Sequence, residues 1–211
     1  MSAPRVGEKR LKILDAAVKV FAERGFYNAR VSDIAAAAGV ADGTIYLYFK
    51  NKDDLLIQVF EDRMDEILTT MRERLSAEDS ALERLRILIH EHLALVESDP
   101  ALAAVLSVEL RQSSKFVRDY KARKFSAYLS LIEDVFDEGT QQGHFRLDLF
   151  PKLHRRAVFG ALDEIVSFWV TLIRQGQSPP CTLVEAGDHV FELFVSGIRE
   201  TRTELTDRRV L

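Results

Sequence analysis

A single cysteine, Cys181, stands among 211 residues, which excludes an internal disulfide and any metal site built from two thiolates. A reducing compartment is its natural setting. Prolines number five and glycines ten, and no stretch alternates apolar with polar residues as a half-buried strand would. Long runs rich in Ala, Leu, Glu, Arg and Lys are left unbroken, so the composition indicates an all-α protein. A long hydrophobic run is also missing. The most apolar segment, AVFGALDEIVSFWVTLI at residues 157–173, is interrupted by Asp163 and Glu164 and falls short of the roughly 20 apolar residues of a membrane span. No apolar stretch follows the charges of MSAPRVGEKRLK, so no secretory signal is read there and a cytoplasmic protein without membrane attachment is expected. Nucleophile elbow, P-loop, dinucleotide glycine motif and zinc spacing are all lacking. His90 and His92, two apart on a helix, read as surface residues. Neither catalysis nor a metal or other cofactor is expected.

The charge that is present is unevenly spread. The net charge is −4, yet residues 1–52 hold nine Lys/Arg against five Asp/Glu, leaving −8 for the rest. A basic first quarter on an acidic remainder points to a module that meets a polyanion, joined to a body that does not.

Periodicity places helices at 8–24, 31–38, 44–49, 51–75, 81–97, 101–113, 116–142, 151–175 and 182–202. Gly25 and Gly39 stand where C-cap glycines would, and Pro100 and Pro151 suit first helical turns. Asp79-Ser80 and Ser98-Asp99 offer N-caps. The second and third helices, joined by a tight turn at Gly39, have the shape of a helix-turn-helix.

Within that shape, VSDIAAAAGVADGTIYLYFKNKDDL resembles the signature of TetR-type transcriptional repressors. Ile34, Ala35, Ala38, Gly39, Val40, Gly43, Tyr46, Tyr48, Phe49, Lys52 and Leu55 fall at its spacing. The resemblance implies nine helices over the whole chain: a DNA-binding domain at residues 1–52 and a larger helical domain for ligand binding and dimerisation at 53–211. VELRQS, YLSLIEDVFDEGTQQG and FGALDEIVSFWV further resemble the members that control fatty-acid degradation and leave DNA on binding long-chain acyl-CoA. A TetR-type repressor of an efflux pump, sensing a drug-like hydrophobic compound, is the alternative. Two positions depart from the pattern. Arg30 and Ala41 stand where the family often has capping Thr and Ser, which leaves the caps to Asn28 or Ser32 and to Asp42.

At the DNA end, Gly43 and Thr44 let the backbone approach, while Tyr46, Tyr48, Lys50 and Lys52 reach outward, with Arg30 and Ser32 on the preceding helix. The two tyrosines lie about 200° apart on a helix. The family implies that they grip opposite walls of the major groove through phosphates, with Ile45 and Phe49 packed inward. Asp42 caps the third helix or accepts from a cytosine amino group. One module contacts too few phosphates to bind alone, so a homodimer on palindromic operator DNA is expected.

The eighth and ninth helices, apolar and rich in small residues, are expected to form that dimer through Phe159, Phe168, Val190, Phe191, Phe194 and Ile198. An apolar effector cavity is expected from Leu102, Leu106, Leu110, Phe116, Tyr120, Tyr128, Phe159, Leu162, Val166 and Trp169. Glu109 and Asp163 interrupt apolar stretches and need partners, for which Arg111 and Gln112 are candidates. Lys115, Arg118, Lys121, Arg123 and Lys124 form a local basic patch suited to the phosphates of CoA.

Overall fold

The computed structural model describes residues 6–112, 123–146, 148 and 150–198, without the side chains of Val6, Arg111 and Gln112. The expected site residues Phe116 and Tyr120, and Lys115, Arg118 and Lys121 of the basic patch, lie outside the described residues, as do the side chains of Arg111 and Gln112.

The chain folds as nine α-helices among the described residues: α1 Val6–Asn28, α2 Val31–Ala38, α3 Asp42–Ile45, α4 Lys52–Ser76, α5 Ala81–Ser98, α6 Pro100–Ser107, α7 Arg123–Gln141, α8 Pro151–Arg174 and α9 Leu183–Ile198. A 3-10 turn, Glu109–Gln112, follows α6. The caps explain several boundaries. Ser80 accepts from Glu83 N–H to start α5, Asp99 accepts from Leu102 N–H to start α6, and Pro100 and Pro151 occupy first-turn positions.

Several boundaries and caps differ from those the periodicity places. Gly25 does not end α1 but kinks it, with φ 74° and ψ 156°, and helix resumes to Asn28. The start of α2 is secured neither by Asn28 nor by Ser32. The Asp33 carboxylate instead reaches back to accept from the Arg30 N–H at 3.1 Å, the acidic half of a capping box. Helix α3 is a single turn, and Tyr46 to Tyr48 form a turn after it rather than helix. Its cap position is Ala41, with Asp42 as the first helical residue, so Asp42 is not the cap. The sixth helix stops at Ser107 and gives way to the 3-10 turn.

Helix α5 is the hub. It packs against α4, α6, α7, α8 and α9, and Leu85, Leu88 and Ile89 on it are fully buried. Close approach of α9 is possible because position 187 is Gly: a Cβ there would stand 2.7 Å from the His90 ring. His90 also contacts Asp188 at 3.2 Å, so it lies at a helix seam rather than on open surface. One continuous core runs from Ile13 and Phe21 of α1 through Val59 and Met71 of α4 to Leu162 and Phe191. Helix α1 meets this body through α6 and the 3-10 turn as well as through α4. The expected domain boundary at 52/53 falls at the start of α4, which runs on unbroken into the body.

Among the described residues, no helix is long and apolar enough to cross a membrane, and no group of three or more His, Cys, Asp or Glu could hold a metal ion.

Candidate nucleic-acid interface and effector region

The turn between α2 and α3 depends on Gly39, whose φ of 66° and ψ of 35° place it in the left-handed region. Its N–H donates to Ala36 O, and Val40 N–H donates to Ala35 O, closing α2 and turning the chain. Ile45 and Phe49 are each 2% exposed and anchor the next segment to the core. Anchoring from beneath leaves Asp42, Gly43, Tyr46, Leu47 and Lys50 exposed on one end of the molecule, beside exposed Arg30 and Ser32. Thr44 and Tyr48 are half-buried, and the Tyr48 ring leans on Phe49 at 6.3 Å. Leu47 is 81% exposed. The sequence reading missed it because an apolar residue between two tyrosines looks like core until the helix is seen to end at Ile45.

Lys52 is corrected. Expected as a phosphate contact, its Nζ instead donates to Phe26 O at 2.6 Å, Tyr27 O at 3.0 Å and Ala29 O at 3.1 Å, and lies 4.6 Å from the Phe26 ring centroid. The last carbonyls of a helix lack intrahelical donors and carry its negative dipole end, so an ammonium there satisfies three of them at once. Lys52 thus ties the start of α4 to the end of α1. Further along the same pair of helices, Arg10 bonds Asp62 and Gln58, and Arg63 pairs with Asp15.

The expected effector residues divide by depth. Leu102, Leu110, Leu162, Val166 and Trp169 are buried at the junction of α6, the 3-10 turn and α8, while Leu106 and Phe159 are half-buried. Glu109 is 1% exposed. Its Oε2 accepts from the Phe26 N–H at 2.8 Å and its Oε1 from Arg174 at 3.1 Å. Asp163 is likewise buried, on α8.

His92 corrects the surface reading of the histidines. Its Nδ1 lies 2.6 Å from the Tyr128 hydroxyl, and its ring meets Phe159 edge-on at 5.9 Å. Burial pushes His92 down to about 4 and pushes the Tyr128 hydroxyl up, so both are neutral at physiological pH and share one proton-mediated contact between imidazole and hydroxyl. Phe125 completes this aromatic group, 4.8 Å from Phe159. Sequence could not expose the pair, because a histidine two positions from another shows no periodicity of its own.

A cleft of about 550 Å³ lies between α4 and α7, lined by Glu61, Asp65, Leu68, Arg72, Arg123, Lys124 and Ala127. Two members of the expected basic patch, Arg123 and Lys124, therefore edge a cavity together with Arg72, which sequence did not single out. Burial raises the Glu61 carboxyl above its ordinary range; Lys124 and Arg123 oppose this and Asp65 adds to it.

The expected dimer residues also divide. Val190, Phe191 and Ile198 are buried within the chain, on the face that α9 turns to α5, and the Arg86 guanidinium sits 3.9 Å above the Phe191 ring. A side chain already covered by its own α5 offers no free surface to a second copy. Phe194 and Phe159 are half-buried. The large apolar groups that α8 and α9 expose are Leu153 at 63%, Phe168 at 45%, Ile173, Val184 and Leu193 at 72%.

Comparison with known proteins agrees with this arrangement. The family model for bacterial regulatory proteins of the tetR family matches residues 13–59, and one for the C-terminal region of YsiA-like proteins matches 60–197. The fatty acid metabolism regulator protein of Bacillus subtilis (strain 168) is 40% identical over 190 residues, covering 90% of this chain and 95% of that protein. The crystal structure of the transcriptional regulator FadR from Bacillus subtilis, in complex with stearoyl-CoA, superposes with a TM-score of 0.81 over 90% of this chain and 99% of that one. The fatty acid degradation regulator FadR from Bacillus halodurans, 38% identical, gives 0.83 over 94% and 100%.

Proposed function

The chain belongs to the TetR family of bacterial transcriptional regulators, and from that premise we propose that it is a cytoplasmic repressor of fatty-acid degradation genes, bound to palindromic operator DNA as a homodimer and released by long-chain acyl-CoA. The observation that carries the effector reading is likeness over nearly the full length, at 40% identity, to a regulator solved with stearoyl-CoA. Relatives with fatty-acid names at this similarity favour that effector over a drug-like compound, and the efflux-pump reading has no comparable support. The reading includes no catalytic step and no cofactor.

In this reading, residues 1–52 form the DNA-binding module. Arg30, Ser32, Gly43, Thr44, Tyr46 and Lys50 meet the operator, Tyr48 does so with the edge its packing leaves free, and exposed Leu47 joins them in the groove. Asp42, exposed and outside the cap position, is left the base-facing role. The acyl chain enters between α6, α7 and α8, where Leu106, Tyr128 and Phe159 border the core. The basic edge of the α4–α7 cleft suits CoA phosphates. Dimerisation uses the exposed apolar groups of α8 and α9, because an apolar patch rimmed by polar residues marks an interaction surface.

The test is thermal unfolding with acyl-CoAs of increasing length, alongside fluorescence anisotropy on operator DNA. Stabilisation by stearoyl-CoA but not by CoA or stearate is expected, about 2.7 kcal/mol at a hundredfold excess over Kd, together with loss of salt-sensitive operator binding. Operator binding indifferent to every acyl-CoA would overturn the effector assignment.

A further inference from the structure

In an unbroken helix the Phe26 N–H would donate to the carbonyl four residues back, that of Ala22. The kink at Gly25 separates these two groups, and both are satisfied from the body of the molecule. Phe26 N–H donates to Glu109 Oε2 at 2.8 Å, Ala22 O accepts from Arg174 Nη2 at 2.9 Å, and the same Arg174 nitrogen reaches Glu109 Oε1 at 3.1 Å. An ion pair has been inserted into one rung of the α1 ladder. Its members come from two elements of the effector-binding body, Glu109 from the 3-10 turn after α6 and Arg174 from the last residue of α8, 83 and 152 positions from Phe26 and Ala22. Beyond the rung, residues 26–29 are held by Lys52 at the start of α4 and lead directly into α2.

We propose that the Glu109–Arg174 pair is a latch that holds α1 kinked and thereby sets the angle of the DNA-binding module on the body, making Glu109 and Arg174 positioning residues for operator recognition. The latch has two discrete arrangements available. With the pair inserted, Gly25 stays at positive φ. With it withdrawn, Gly25 can enter the helical region and the Phe26 to Ala22 rung can close, which re-aims residues 26–29 and α2 with them. Only glycine moves between these backbone regions at low cost. An element with two packed states, biased by contacts on either side, is what coupling between distant sites requires. Glu109 is 1% exposed, so withdrawing either member leaves a buried carboxylate without its cation, which makes the switch discrete rather than graded.

The coupling half of this inference rests on the acyl-CoA reading; the positional half does not. Glu109→Gln keeps an acceptor for the Phe26 N–H and removes the charge that holds Arg174. Arg174→Gln changes a side chain 38% exposed, which makes it the variant that folds without difficulty. Both full-length variants are to be titrated against a palindromic operator selected from random DNA by the wild type, and against the same operator with one base pair inserted between half-sites. Wild type is expected to discriminate the insertion, and the variants to lose about tenfold of that discrimination while retaining helical circular dichroism. The factor by which stearoyl-CoA weakens operator binding is expected to fall similarly, with stabilisation by stearoyl-CoA unchanged. Variants that lose thermal stability but keep wild-type spacing discrimination would overturn the latch. If stearoyl-CoA leaves even the wild type unaffected, the acyl-CoA reading fails and the spacing result alone decides the latch.

Discussion

Two lysines two positions apart show how far a residue's role is set by what surrounds it. Lys50 is exposed, whereas the Lys52 ammonium is spent on the last carbonyls of α1. Lys50→Ala is expected to leave the melting temperature unchanged and to lower the salt slope of operator binding by about one. Lys52→Met is expected to destabilise the fold by about 1–3 kcal/mol, because three carbonyls lose their donor, as urea unfolding will measure. The motif position of Lys52 was legible in the sequence; its bonding was not, since the carbonyls it caps lie 23 to 26 positions away. His92 makes the same point through pH. Its folded value, about 4, lies below the ordinary imidazole value of about 6.5, so between these values the unfolded chain binds the extra proton and stability falls as pH falls. The loss, at most about 3 kcal/mol for a half-buried ring, is complete by pH 4. Comparing unfolding midpoints of wild type and His92→Phe across that window isolates it.

At the scale of elements, the helices were read nearly to their ends wherever a cap or a proline marked them, because such signals act within one turn of the backbone. Boundaries set by distant partners leave no such local signal. Nothing near Gly25 in the sequence distinguishes a C-cap from a kink; the difference is Glu109 arriving from the far side of the fold. Gly139 is a second case. It lies inside α7, where a Cβ would stand 2.1 Å from the Phe145 ring, which is itself 1% exposed. Gly139→Ala is expected to cost about 1–3 kcal/mol through overpacking, and adding Phe145→Leu is expected to return part of it. A double-mutant cycle on thermal unfolding checks this coupling.

For the whole molecule, the proposed dimer depends on apolar surface that α8 and α9 leave uncovered. Phe168→Glu and Leu193→Glu, at positions 45% and 72% exposed, are expected to keep the helical fold and give monomers at micromolar concentration in sedimentation velocity. Operator affinity should fall with them, because one module retains only half of the phosphate contacts. Phe191→Ala, by contrast, removes a core ring and is expected to lower stability by about 3 kcal/mol or more.

The order of residues is enough to establish an all-helical chain, a turn-and-helix unit at its start, and its family. Each follows from spacing within a few turns, where residue type and backbone geometry are coupled locally. Tertiary structure decided which charges are available and to what. The Lys52 ammonium was turned onto carbonyls at the end of α1, Val190, Phe191 and Ile198 were buried within the chain, and Glu109 was joined to a broken rung of α1. A buried polar group must find a partner, but packing chooses which one, and packing brings together residues that no local spacing connects.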